Sequence, residues 1–420
     1  MIKSNDQAWE VIFDNLRISE ALGNKPYYEI SADQIKKISA REPRLMAKFD
    51  TKESLPNIFK KGELNINAVS NGNYIIFRDP SHRSFIKLPD YKEIVPKKIT
   101  PSLDFSLETL VFNTRMSESN AIDFAHHSKI LSKYSGEKDL KLTTRGRFYS
   151  DNFNFQLGTV GSIGVKGVQI EVDAGFEGLE QFLIIEAKSS TRDTFNIRQL
   201  YYPFRHFQTK TRKKIRTILL SFSNGVYYFT EIELFPEYYD YKILSNEAYE
   251  IVIREVSETL SIEELLSQET HKPTGIPVPQ ADDLNKVIDL ITFLVENPAD
   301  KFSIAEHFEF HERQGDYYGN ACSYIGFTKK EGTQYKLTAI GEEVGKINNR
   351  ENRNKQVIKA ILRTKLFNDL LRLNFKQDKI DDQQIIDRLT QEELTGTTPE
   401  RRKSTVKSWI NWIINVLINK

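Results

Sequence analysis

Apolar residues along this chain change period several times, and each change predicts a different element. NINAVSNGNYIIF (65–77) alternates on both sides of Asn71-Gly72, which predicts a β-hairpin with that pair at its turn. Over 106–135, Ala121, Phe124, Ala125, Ile130 and Leu131 recur at helical spacing, so this stretch reads as a helical region. FLIIEA (182–187), IRTILLSF (215–222) and GVYYFTEIEL (225–234) are short apolar runs rich in β-branched and aromatic residues, the pattern of buried strands. NIRQLYYPFRHF (196–207) lies between the first two and reads as a helix. Strand, strand, helix, strand is an α/β core with a mixed sheet.

The segment 268–280 (QETHKPTGIPVPQ) carries Pro273, Pro277, Pro279 and Gly275 and reads as a linker. Beyond it, helical patterns occupy 283–297, 303–310 and about 313–326, a hairpin pattern follows at 329–338, and 351–420 is almost wholly helical. The expected organisation is an α/β multidomain chain. An N-terminal α+β domain (1–98) that could take part in DNA recognition precedes an α/β domain (99–265). A proline-rich linker (266–282) leads to a winged-helix domain (283–350) and a helical domain with a second helix-turn-helix (351–420).

Composition narrows this picture. A chain of 420 residues is expected to hold several domains. No apolar run approaches the roughly 20 residues that span a bilayer. The polar N-terminus lacks the apolar stretch of a signal peptide, which predicts a cytoplasmic protein with no membrane association. The single cysteine, Cys322, excludes an intramolecular disulfide framework and a cysteine-rich zinc site. The net charge of +1 is unevenly spread: residues 241–300 hold 4 basic against 12 acidic residues, while 301–420 hold 21 against 16. An acidic connector before a mildly basic C-terminal third is compatible with a local DNA-binding surface.

The candidate chemistry lies in VQIEVDAGFEG (168–178) and FLIIEAKSS (182–190). Gln169, Glu171 and Asp173 alternate along a strand and share a face, with Gly175 and Gly178 read as turn residues. Glu186 and Lys188 share a face at the end of the next strand. Pairing the two strands brings Asp173 to Glu186 and Lys188. Two carboxylates are hard oxygen ligands suited to Mg²⁺, which polarises a phosphoryl oxygen and acidifies a bound water. An ammonium beside them offsets charge developing on the phosphate and can orient or deprotonate the attacking water. An ion pair on a sheet edge is the bland alternative. Asp139-Leu140-Lys141 has the same Asp-x-Lys shape without a buried strand around it.

Asp173 followed by Glu186-Ala187-Lys188 resembles the PD-(D/E)XK nuclease superfamily over about 100 residues around the motif. Val172 stands where the family name has proline. Members of that superfamily carry a glutamine or tyrosine on the following helix, for which Gln199 and Tyr202 are candidates, and an acidic residue on the helix before the sheet, for which Glu118 is the candidate. The resemblance thus implies Asp173 and Glu186 as metal ligands for Mg²⁺ and Lys188, Glu118 and Gln199 as further members of the catalytic centre. Glu171 and Gln169 are either supporting residues of that centre or solvated. In TTRGRFYSDNFNF (143–155), Arg145 and Arg147 are candidates for phosphate contact or for structural ion pairs.

In a winged helix the N-terminal part of the second helix enters the major groove. Here that part presents Glu312, Arg313, Gln314, Asp316, Tyr317 and Asn320, of which arginine is of the kind that reads guanine and glutamine or asparagine of the kind that reads adenine, with Lys329 and Lys330 on the wing. At the C-terminus Thr398 is placed as a helix cap with Pro399 at the first helical position, and Arg401, Arg402, Lys403 and Lys407 line one end as phosphate-binding candidates or part of a solvated face. His307 and His311 stand four apart but lack a third ligand nearby, so no metal is assigned to them. The basic segment 30–56, with Lys36, Lys37, Arg41, Arg44 and Lys48, loosely resembles the leading region of certain large type II restriction enzymes.

A nuclease core joined to winged-helix readers, with no P-loop, resembles a type II restriction endonuclease. That resemblance implies Mg²⁺-dependent cutting of double-stranded DNA at a short sequence, leaving 5′-phosphates. It also implies a homodimer on a symmetric site and a cognate methyltransferase acting on the same sequence in a prokaryotic cell. A structure-specific repair or junction nuclease, or a DNA-binding regulator with an inert nuclease-like domain, are the alternatives.

Overall fold

A computed structural model of the chain describes residues 5–102, 107–110, 112–113, 115–252, 261–377, 379–392 and 398–418. It is a mixed α/β protein that divides into two compact units, one of residues 1–110, 117–222 and 227–250, the other of residues 111–116, 223–226 and 251–420.

The first unit begins with an aromatic cluster. Trp9 and Phe13 on the helix Asn5–Leu16 pack edge-on against Phe59, and the Trp9 indole N–H donates to the Met46 carbonyl at 3.0 Å. A capping box of Ser31 and Gln34 starts the helix Ala32–Ser39. The expected hairpin forms from Leu64–Ser70 and Asn73–Arg78, and Gly72 supplies the positive φ of its turn (78°).

A seven-stranded sheet follows, in the order Lys97–Ile99, Tyr241–Ile251, Val226–Leu234, Lys214–Ser223, Gln181–Lys188, Gln169–Glu177, Lys141–Tyr149. It is mixed: Gln181–Lys188 runs parallel to Lys214–Ser223 and antiparallel to Gln169–Glu177. The helix Arg198–Phe207 connects the parallel pair and buries Leu200, Tyr201, Tyr202 and Phe204. Every residue from Phe182 to Lys188 is buried, as expected for a strand in mid-sheet.

Three local expectations are corrected. The helical region does not extend over 106–135: Ser117 caps a helix Glu118–His127, and Lys129 with φ of 65° separates it from Ile130–Ser135. Residues 106, 111 and 114 of that stretch lie outside the described residues. Gly175 is not in the turn but within its strand, where a β-carbon would come within 2.9 Å of the Phe182 ring and 3.0 Å of Thr144. The start of the acidic stretch, Tyr241–Ile251, is an eleven-residue strand. Its lysine, asparagine and glutamates break up the apolar pattern that marks its neighbours.

In the second unit one hydrophobic core runs from Leu265 to Ile413, with Val287, Ile291, Tyr324, Phe367 and Trp409 among its members. The helices Lys301–Phe308 and Glu312–Tyr324 pack together, and a small sheet orders Ala299–Asp300, Gln334–Leu337 and Thr328–Glu331. Gly319 is dictated by packing, since a β-carbon there would stand 2.5 Å from the Tyr335 ring. The segment read as a linker packs into this unit: Val278 and Ala281 are in the core, and the Trp409 indole donates to the Ala281 carbonyl at 2.7 Å. Its prolines mark irregular backbone, which the neighbouring helices cover. The segments 283–350 and 351–420 likewise share this single core.

His307 and His311 do not share a helix face. Glu309, with φ of 54°, ends the first helix, His307 stacks on Phe293 and His311 caps the next helix. Thr398 lies within the helix Thr398–Ile418, and the residue before it is outside the described residues. Among the described residues no helix is long and apolar enough to cross a membrane.

Candidate active site

Strand alternation sets up the site. From Gln169 to Ala174, the apolar Ile170, Val172 and Ala174 are buried while Gln169 and Glu171 are exposed and Asp173 is half-buried. The ladder to the neighbouring strand is regular from Phe182↔Glu177 to Ile185↔Ala174 and then stops. There the Asp173 carboxylate replaces the backbone partner, its Oδ2 accepting the Ala187 N–H at 2.8 Å. Beyond this point the contacts are made by the polar side chains of Asp173, Glu186 and Lys188.

Glu186 and Lys188 emerge beside Asp173 and are only 8% and 4% exposed. The Lys188 ammonium donates to Glu186 Oε1 at 3.0 Å. Gln199, in the first turn of the following helix, donates its amide N–H to the same oxygen at 2.8 Å. Glu118, at the start of its own helix, accepts the Ser189 N–H at 3.0 Å. All five proposed catalytic residues therefore converge on one sheet end, three of them directly on Glu186 or its strand. Tyr202 does not join them; its hydroxyl donates to the Ala68 carbonyl at 2.8 Å.

Charge is held here at a cost. Burial pushes the Asp173 carboxyl above the usual range, against the pull of the Ala187 N–H and the Lys188 ammonium. Burial pushes Glu186 up much further, and the neighbouring Asp173 carboxylate adds to that rise. Gln199 Oε1 is buried with no hydrogen-bond partner among the described residues. Two buried carboxylates that repel each other, with an orphaned amide oxygen adjacent, form a donor set that a hard cation would relieve. Among the described residues no three of His, Cys, Asp and Glu gather closely enough to cage a metal by themselves. The pair Asp173 and Glu186 still fits Mg²⁺, because that ion is commonly held by one or two carboxylates and completes its shell with water and substrate oxygens.

Lys48 and Asp50 escape sequence reasoning as members of this neighbourhood. The Lys48 cation bears on Asp173, the Asp50 carboxylate bears on Glu186, and the two pair with each other at 3.0 Å. Nothing in their spacing signals this, because the chain returns to the site from a separate folded segment. The basic pair of the edge strand has internal partners: Arg145 grips Asp123 through both terminal nitrogens and donates to the Asp173 carbonyl at 3.0 Å. Arg147 pairs with Glu171, which also holds Arg44.

In the second unit the proposed DNA contacts separate into two groups. Lys330 is tied to Asp316 at 2.9 Å, and Asn320 Oδ1 accepts the buried Tyr335 hydroxyl. Lys329 and Lys336 both pair with Glu331, whose carboxyl they pull down to about 2. Lys403 and Lys407 pair with Asp382 at 3.3 and 2.7 Å, whereas Arg313, Arg401 and Arg402 have no carboxylate partner among the described residues, and Arg313 lies 5.8 Å from the Tyr317 ring centroid. Tyr317 is also within electrostatic reach of Arg402, whose Nε is buried with no hydrogen-bond partner among the described residues. Two stretches separated in sequence are thus within electrostatic reach of one another through Tyr317 and Arg402. Gln314 is half-exposed on the same helix.

Three family models match the chain: the domain of unknown function DUF6996 over residues 6–76, DUF6997 over 81–250, and DUF7226 over 286–418. No curated protein and no solved structure matches it. The five converging residues fall within the second match, whereas Lys48 and Asp50 fall within the first.

Proposed function

We propose that the protein is a Mg²⁺-dependent endonuclease of the PD-(D/E)XK kind that cuts double-stranded DNA at a specific sequence, as a type II restriction enzyme does. The observation that carries this reading is the convergence of Asp173, Glu186, Lys188, Gln199 and Glu118 where one strand ladder ends. Asp173 and Glu186 would hold the metal, which supplies Lewis acidity to the scissile phosphate and a more acidic water. Lys188 donates to Glu186 and stands ready to orient the attacking water and offset charge on the phosphate. Gln199 fixes the Glu186 rotamer from the helix, and Glu118 fixes the chain at Ser189, immediately after Lys188. Burial keeps the set preorganised and limits competing solvent.

Base reading is assigned to a winged-helix-like arrangement in the second unit. Arg313, Arg401 and Arg402 support it, because cations without carboxylate partners among the described residues suit a polyanion. A homodimer would place two centres on the two strands of a symmetric site.

The test is incubation of the full chain with supercoiled plasmid, long linear DNA and branched DNA, with Mg²⁺ or EDTA, beside Asp173→Ala and Lys188→Ala. Discrete Mg²⁺-dependent fragments that both variants lose are expected. Cutting confined to branched DNA would assign a junction nuclease instead. Binding without any cutting would assign a regulator and overturn the enzymatic reading.

A further inference from the structure

The N-terminal segment 48–53 is fastened to the strand that leads into the Gln199 helix. The Asn196 N–H donates to the Asp50 carbonyl at 2.8 Å, and the Asn196 side-chain amide donates to the Phe49 carbonyl at 2.7 Å. The Lys52 N–H donates to Thr194 Oγ1 at 2.8 Å, and that hydroxyl donates to Glu53 at 2.6 Å. Asn196 Oδ1 in turn accepts the Arg198 N–H, one residue before Gln199. The four bonds to segment 48–53 each join residues far apart in sequence, so this segment is fastened to the strand that precedes the Gln199 helix.

Two side chains of this segment have chemistry that the fold alone does not explain. Asp50 is only 4% exposed, and its Oδ1 has no hydrogen-bond partner among the described residues. A buried carboxylate oxygen left unpaired is costly unless the working state brings it a donor or a cation. Its other oxygen holds Lys48 at 3.0 Å, and the Lys48 side chain remains 46% exposed. The charges of this pair reach Asp173 and Glu186. A half-exposed lysine whose ammonium is held by Asp50 and bears on Asp173 is placed to meet a DNA phosphate.

We propose that Lys48, positioned by Asp50, is a phosphate-contacting residue that the N-terminal region contributes to the cleavage centre, gripping the DNA strand beside the bond that is cut. This rests on the nuclease reading. It adds that the regions matched by the first two family models together make one active site.

Two measurements on the full-length protein test it. Supercoiled plasmid with Mg²⁺ reads the cleavage rate. A fluorescent random-sequence duplex with Ca²⁺ in place of Mg²⁺ reads affinity against salt. Lys48→Ala is expected to slow cleavage about 10- to 100-fold and to lower the slope of log affinity on log salt by about one. Lys48→Arg should recover most of both. Asp50→Asn should shift both in the direction of Lys48→Ala, and an unchanged melting temperature of the half-exposed Lys48→Ala variant separates these effects from misfolding. If the unmutated protein cuts, Lys48→Ala cutting at the same rate with an unchanged slope overturns this inference alone. If the unmutated protein does not cut, the nuclease reading fails, and the slope still decides whether Lys48 meets phosphate.

Discussion

The strand end around Glu186 and the arginines around Tyr317 use charge in opposite ways. At the first, charges are buried and opposed: Glu186 is 8% exposed, sits beside another carboxylate, and is held by an ammonium and an amide. At the second, Arg313, Arg401 and Arg402 have no carboxylate partner among the described residues. The buried set suits chemistry on one atom, because low dielectric and fixed geometry make each group act strongly there. The unmatched arginines suit contact with an extended polyanion, where exposed cations exchange counterions for phosphates. The number of cations is therefore a poor guide to a binding surface. Lys329, Lys330, Arg145 and Arg147 are cations too, and each is already matched by a carboxylate in its own fold.

The largest effect expected is at the buried set. Asp173→Ala and Lys188→Ala should each reduce Mg²⁺-dependent plasmid cutting by about 1000-fold or more, with binding to DNA in Ca²⁺ largely kept. Loss of binding together with cutting would show that the two regions do not divide the work. Gln199→Ala comes next and should cost about 10- to 100-fold in rate, because Glu186 loses one of its two fixed donors. Removing the arginines should act on binding instead. Each of Arg401→Ala and Arg313→Ala should lower the salt slope by about one, while Lys329→Ala leaves it unchanged. Equal slopes for all three would erase the distinction between matched and unmatched cations.

The smallest effect is thermodynamic and runs against activity. A carboxyl raised in the folded state favours its protonated form, so it contributes stability at low pH that is lost as pH rises through the folded value. Without Mg²⁺, the protein should therefore lose stability between the ordinary carboxylate range and the raised value of Glu186. Asp173→Asn keeps an acceptor for the Ala187 N–H and removes one of the two like charges. It should raise the metal-free melting temperature at neutral pH, by an amount equivalent to about 1 kcal/mol, and Mg²⁺ should no longer stabilise the variant. A melting temperature that falls, or an undiminished Mg²⁺ response, would argue against repulsion between Asp173 and Glu186.

Much of the centre is legible in the amino-acid pattern alone, for reasons specific to strands. Gln169, Glu171 and Asp173 alternate with Ile170, Val172 and Ala174, and a period of two leaves little choice of face. The apolar run before Glu186 marks a strand in mid-sheet, and the polar residues at its end must then be unusual. Gln199 is implied by the resemblance to the nuclease superfamily, which places a glutamine or tyrosine on the helix beyond that strand, and not by periodicity. Glu118 is likewise implied only by that resemblance, since the helix that presents it begins at Glu118, well inside the longer helical stretch suggested by periodicity. The strand Tyr241–Ile251 is missed because lysine, asparagine and glutamate interrupt its alternation, so propensity sees an acidic connector. The segment 268–280 reads as a linker because proline reports the absence of regular hydrogen bonding, which says nothing of burial.

Local groups are therefore set by the order of residues: which of them share a strand face, where the buried strands end, and which residue types stand there. What each charge meets is decided by the tertiary fold. The fold ties Arg145 to Asp123 and Lys330 to Asp316. It brings Arg402 within reach of Tyr317 and fastens Lys48 and Asp50 beside the Glu186 centre. The physical reason is range. Periodicity and capping act over a few residues, and their outcome is written in the local pattern. The partner of a charge depends on contacts between segments distant in sequence, and those exist only once the cores have packed.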